Sequence, residues 1–185
     1  MKKITLPLLA CLALPLVAAA PAQAAKQVSL CDTAIKDAKP RSGEPARGRG
    51  AVPGLRVSYL PKGFIYGDFS HHSGKKAWEY GYAWSDDRDD VDRKHRSLWV
   101  RVVCWPAAKS LKDLPGLPVV EGSFATAEKA TVGGRKVLTK EGDGALGHGR
   151  YVGWVERPGV VITVMASEPL TSRLGRIIKG IRATN

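Results

Sequence analysis

Trp78, Tyr80, Tyr82 and Trp84 occupy alternate positions, and Trp99 and Trp105 lie within the next apolar run. Alternate residues of a β-strand share a face, so the first four would form one row of rings, with Ala77, Glu79, Gly81 and Ala83 behind them. Such a row has two physical uses. It is either a platform on which an amphiphilic or hydrophobic ligand stacks, or apolar area for the core of a small domain. A chain of this size must find its core somewhere, which favours the second use. If there is a ligand surface, its candidates are Trp78, Tyr80, Tyr82, Trp84, Trp99 and Trp105.

Other constellations are weaker. Gly142-Asp143-Gly144-Ala145-Leu146-Gly147 matches G-x-G-x-x-G literally. That motif works by bringing backbone close to a pyrophosphate at a helix start, and here strand-like Arg150 to Val155 follows, so a glycine loop is expected instead. Asp86, Asp87, Asp89, Asp90 and Asp92 are hard oxygen ligands of the kind calcium takes. Arg88, Arg93, Lys94 and Arg96 neutralise most of that charge, which points to a solvated hairpin tip. Neighbouring His71 and His72 would point to opposite faces of a strand, and His95 and His148 fall in loops, so no metal ligands are nominated. Nucleophile and metallohydrolase motifs give no convincing match, and no catalytic residue or cofactor is nominated.

The elements that would position these residues can be read from periodicity. Leu55, Val57 and Tyr59 alternate with polar residues as in a half-buried strand, and Ile65 to Phe69 is a second short one. The aromatic strand should pair with Leu98 to Trp105 across a hairpin loop near Ser85 to Arg96. A helical turn is expected around Ala107 to Leu114, an edge strand near Val119-Val120, and a strand from Val132 to Lys140 turned at Gly133-Gly134. Arg150 to Glu156 and Val160 to Ala166 form a hairpin about the turn Arg157-Pro158-Gly159. A helix from Pro169 to Ile181 would bury Leu170, Leu174, Ile177, Ile178 and Ile181 and expose Arg173, Arg176, Lys179 and Arg182, with Ser167 as its cap. The expected fold class is therefore α+β: a curved antiparallel β-sheet of meandering hairpins packed against a C-terminal amphipathic helix.

Residues 1–24 read as a secretory signal peptide: Lys2 and Lys3 precede an apolar run from Ile4 to Ala20, and Ala22-Gln23-Ala24 supplies the cleavage site. The rival readings are a retained anchor, against which Pro7, Pro15 and Pro21 argue, and a lipobox at Leu8-Leu9-Ala10-Cys11. Removing 24 of the 185 residues leaves 161, and losing Lys2 and Lys3 lowers the formal charge from +12 to +10. The remaining cysteines, Cys31 and Cys104, are expected to form one disulfide outside the cytosol. The bond would close a loop of 74 residues, which the chain-entropy treatment values at roughly 4 kcal/mol. Residues 25–54, rich in Pro, Gly and Arg, read as a flexible segment or a basic arm, and residues 55–185 as a single domain.

Gly54-Leu55-Arg56-Val57-Ser58-Tyr59-Leu60-Pro61-Lys62-Gly63-Phe64, and Gly153 to Val160 running into the last helix, resemble exported actinobacterial domains of unknown function of the DUF4367 type. The matching pieces cover about 40 residues, and the aromatic hairpin departs from the pattern. The resemblance implies a β-rich envelope module that binds something, and it supplies no active-site residues.

The function expected from all this is a secreted, non-enzymatic envelope module that binds a protein or an amphiphilic ligand. One alternative is a small extracellular hydrolase using His71 or His72 with Asp68 or Glu79. The other is a basic protein adhering to anionic cell-surface polymers or a membrane surface, since a pI near 9.8 attracts anionic partners and export makes nucleic acid a poor candidate.

Overall fold

The computed structural model describes residues 29–47, 50–86, 94–119, 123–142 and 148–184. Residues 1–28 with the expected signal peptide and Cys11, Asp87 to Arg93, Val120 of the expected edge strand, and residues 143–147 of the glycine loop lie outside the described residues.

The elements follow in chain order: β1 (Arg41–Gly43), β2 (Leu55–Val57), β3 (Tyr66–Ser73), β4 (Trp78–Ser85), β5 (Ser97–Cys104), β6 (Glu128–Val132), β7 (Arg135–Glu141), β8 (Arg150–Arg157), β9 (Val160–Ala166), α1 (Leu174–Gly180) and β10 (Ile181–Ala183). Eight of the strands form one open antiparallel sheet in the order β1-β3-β4-β5-β9-β8-β7-β6, and β10 pairs with β2 as a separate ribbon. With its one C-terminal helix the protein is α+β. The expected pairing of the aromatic strand is observed, with Trp78 opposite Cys104 and Ser85 opposite Ser97. After β5 the chain crosses to the far edge, and β6 to β9 step back until β9 pairs with β5.

Each strand sorts its side chains by parity. Tyr80, Tyr82, Trp84, Leu98, Val100, Val102, Trp154, Ile162 and Val164 belong to one buried cluster. Val103, Tyr151, Val161 and Met165 belong to a second. Every residue of β9 is buried, as befits a central strand covered on both faces and hence apolar without alternation. The first cluster also takes in Leu170, Leu174, Ile177, Ile178 and Ile181 from the C-terminal segment, together with Leu30, Ile35, Ala51 and Val52 from the N-terminal one. The second takes in Ala108, Leu114, Leu117 and Phe124 from the long β5–β6 connection. Gly153 admits the Phe124 ring, because a Cβ there would lie 2.6 Å from its Cζ.

Three local expectations are corrected. The final helix does not run from Pro169 to Ile181: Glu168–Arg173 is a 3-10 turn, α1 ends at Gly180, and Ile181 opens β10 opposite Val57. The ribbon stops the helix, since Ser58 N–H donates to the Gly180 carbonyl at 2.9 Å. Ser167 does not cap with its side chain; its Oγ accepts from Ser97 N–H at 2.8 Å, which ties the β9 end to the start of β5. Gly133 and Gly134, at φ 59° and 80°, form a complete hairpin turn between β6 and β7, so Glu128 to Val132 is a strand that the sequence reading omitted.

The stretch read as flexible carries structure. Thr33–Asp37 is a 3-10 turn and β1 pairs with β3. Its anchors are polar and distant in sequence: Trp84 Nε1–H donates to the Ala46 carbonyl at 2.9 Å, and Ala46 N–H donates to the Tyr82 hydroxyl at 2.8 Å. Few large apolar residues are needed when buried aromatic side chains offer hydrogen bonds to the backbone.

Candidate ligand cleft

The six aromatic candidates do not make one surface. Tyr80, Tyr82 and Trp84 are 1%, 3% and 0% exposed and belong to the core. Trp78 is half-buried on that same side, whereas Trp99 and Trp105 pack against the opposite cluster. The sheet itself separates them, because odd and even positions of neighbouring strands point to opposite faces.

Of the six, Trp78 alone lines a cavity of about 680 Å³. Several chain ends meet there: the β3–β4 turn with Lys75 and Lys76, the β8–β9 turn with Arg157 to Gly159, the end of β5, Pro106 and Lys109, and the 3-10 turn carrying Lys36. Backbone bonds hold the rim. Trp105 N–H donates to the Gly159 carbonyl at 2.9 Å, and Gly159 N–H donates to the Ala108 carbonyl at 2.7 Å. The Cys31–Cys104 disulfide, with Cα atoms 5.8 Å apart, lines the cleft and fastens the N-terminal segment to β5. The pairing expected from the cysteine count is observed.

Five cations, Lys36, Lys75, Lys76, Lys109 and Arg157, line the cleft, and among the described residues no carboxylate does. A concave wall of one sign concentrates counter-ions. Trp78, Ala77, Pro106, Pro158 and Val160 supply apolar wall between the charges. The Lys36 ammonium lies 5.0 Å from the Trp78 ring centroid, and the Tyr80 ring stacks beside Trp78 at 5.6 Å. Burial pushes the Tyr80 phenol above its ordinary range, against a smaller opposing pull from Arg157, so the ring stays neutral below the cleft. Chemically the arrangement offers a cationic rim and an apolar, aromatic floor.

On the other face of the sheet a smaller cavity, about 200 Å³, is lined by His71, His72, Glu79, Trp99 and Arg101 among others. Arg101, 1% exposed, donates from Nε to Thr163 Oγ1 at 3.1 Å and pairs with Glu79 at 3.3 Å. Gly81 makes room for it, since a Cβ there would stand 2.7 Å from Arg101 Cγ. His72 and Glu79 are register partners, so the structure does bring together one histidine and one carboxylate of the hydrolase alternative. The carboxylate is engaged by Arg101, and Asp68 sits elsewhere, opposite Ala83.

Asp86, His95 and His148, which lie among the described residues, have structural partners. Asp86 takes Arg96 Nε–H at 3.0 Å and lies 3.1 Å from His95. Burial pushes its carboxyl up, but the Arg96 hydrogen bonds and the nearby positive charge outweigh this and hold it below the usual carboxylate range. His148 pairs with Glu141, whose carboxyl is lowered by that hydrogen bond and by the imidazole's charge. Among the described residues no group of three or more His, Cys, Asp or Glu is placed to hold a metal ion, and no helix is long and apolar enough to cross a membrane.

The sequence reading missed the cleft cations. The Lys75-Lys76 pair just ahead of Trp78 was the one local signal; Lys36, Lys109 and Arg157 reach the site only through the fold. No family model matches the chain, and no curated protein or solved structure matches it.

Proposed function

We propose that this protein is an exported, non-enzymatic envelope module that binds an amphiphilic ligand with an anionic head in the cleft beneath Trp78. One observation carries the reading: among the described residues, five cations and no carboxylate surround a half-buried indole flanked by apolar wall. Lys75, Lys76 and Lys109 would hold the head group as point charges, and Trp78, Pro106 and Val160 would take the start of the chain. In this reading α1 is the amphipathic element of the fold, with Leu174, Ile177 and Ile178 buried and Arg176 and Lys179 outward. The likeness of Gly54 to Phe64 to exported domains and the single disulfide both support placement outside the cytosol.

Calorimetric titration with dodecyl phosphate below its micellar concentration tests the proposal, with inorganic phosphate and an uncharged dodecyl glycoside as comparisons. Saturable binding is expected for the anionic chain, weaker binding for either half alone, and a loss of about tenfold or more for Lys75→Gln/Lys76→Gln or Trp78→Ala. No saturable binding, or equal binding by the variants, overturns it.

A further inference from the structure

Arg56 of β2 and Arg182 of β10 are direct cross-strand partners, and both are exposed. Like charges directly opposite each other weaken a strand pair, so this ribbon is held together in spite of them. Its other bonds do the holding: Ser58 N–H and Oγ–H both donate to the Gly180 carbonyl, at 2.9 and 2.8 Å, and Thr184 N–H donates to the Gly54 carbonyl at 2.9 Å. The adjoining helical segment exposes Arg173, Arg176 and Lys179, and the Arg176 guanidinium rests 4.1 Å from the Tyr59 ring centroid.

None of these five cations makes an ion pair with a carboxylate among the described residues. Two acidic side chains of neighbouring segments are already engaged. Glu156 accepts from Arg135 at 3.0 Å and from the Trp154 indole at 2.7 Å, and Glu168 accepts from His148 N–H at 3.2 Å. The cations also line neither cavity described above. They therefore form an uncompensated layer of charge on the outside of the ribbon and helix.

We infer that this layer is a docking surface for the anionic phospholipid headgroups of a membrane. A layer of cations that lines neither of the cavities described above matches an extended anionic plane better than a single small ion. Arginine forks bind phosphate oxygens in pairs, and each basic residue near such a surface adds to the attraction. The layer exposes no large apolar side chain for insertion, since the exposed ones, Ile65 and Tyr66, lie at the start of β3. Attachment is thus electrostatic and reversible, and it brings relief to the Arg56–Arg182 repulsion. The inference stands apart from the cleft, which uses different residues.

Co-sedimentation of the purified protein with vesicles of phosphatidylcholine plus phosphatidylglycerol, against phosphatidylcholine alone, tests it. Binding is expected only to the anionic vesicles, falling as salt is raised. It should drop by more than about tenfold in Arg56→Gln/Arg182→Gln/Lys179→Gln. The control Lys112→Gln, an exposed lysine of the β5–β6 connection outside both cavities and outside the layer, should bind vesicles as the parent does. Circular dichroism and a thermal melt check that the triple variant is folded; if it is not, the separate pair Arg173→Gln/Lys179→Gln, which leaves the ribbon intact, carries the test. Soluble polyphosphate serves as the other phosphate source. Failure to bind anionic vesicles, vesicle binding unchanged in the folded variant, or binding to polyphosphate alone overturns the inference.

Discussion

The Tyr80 hydroxyl lies 2.8 Å from the Leu30 carbonyl and 2.9 Å from that of Pro53, so one phenol on the central sheet holds two separate points of the N-terminal segment. A hydroxyl has one proton to give, and both acceptors compete for it. This contact lies beside the disulfide and beneath the cleft, which makes it a test of how the segment is seated.

Tyr80→Phe keeps the ring and removes the donor, leaving buried carbonyl oxygen short of a partner. A loss of about 1–3 kcal/mol in urea unfolding is expected with the sheet retained. An unchanged midpoint would mean that water or another donor satisfies the carbonyls.

Replacing both Cys31 and Cys104 by Ser should cost about 2–5 kcal/mol, because the unfolded chain regains the freedom of a long loop. Melting the parent with and without reductant gives the same comparison without a substitution. A shared midpoint would contradict the tether.

Gly133 sits at φ 59°, and a Cβ there would approach the Gly175 carbonyl oxygen to 2.5 Å and the Lys179 nitrogen to 2.7 Å. Gly133→Ala therefore meets both left-handed backbone strain and the helix, and should lose more than about 1 kcal/mol. Gly134→Ala meets no atom within 4 Å and carries the strain alone. Equal thermal midpoints for the two variants would refute the close approach of α1 to the β6–β7 turn.

Asp86 contributes to the acid limb of stability. Its carboxyl titrates lower in the folded protein than the ordinary value near 3.9. The sign follows: the stabilisation is complete above the unfolded value and is lost as pH falls through the folded one. Asp86→Asn should lose about 1–3 kcal/mol at neutral pH and show a flatter stability profile below about pH 4. A variant that tracks the parent at every pH would show that Arg96 is held by the Lys62 and Gly63 carbonyls alone.

Strand alternation, the Pro-Gly turn and the cysteine count are local properties, and they sufficed to read the β4–β5 and β8–β9 hairpins and the Cys31–Cys104 bond from sequence alone. Burial of Tyr80, Tyr82 and Trp84 was equally legible, since alternate positions of a strand share a face. The tertiary structure decided the rest. Parity on paired strands sent Trp99 and Trp105 away from Trp78; the β2–β10 ribbon cut the helix short at Gly180; and hydrogen bonds from Tyr80 and Trp84 gave Leu30 and Ala46 a place that their own sequence neighbourhood could not supply. The cleft belongs to this second group, because Lys36, Lys76, Lys109 and Arg157 are far apart along the chain. Charges separated in sequence form a site only when strand ends bring them within each other's field.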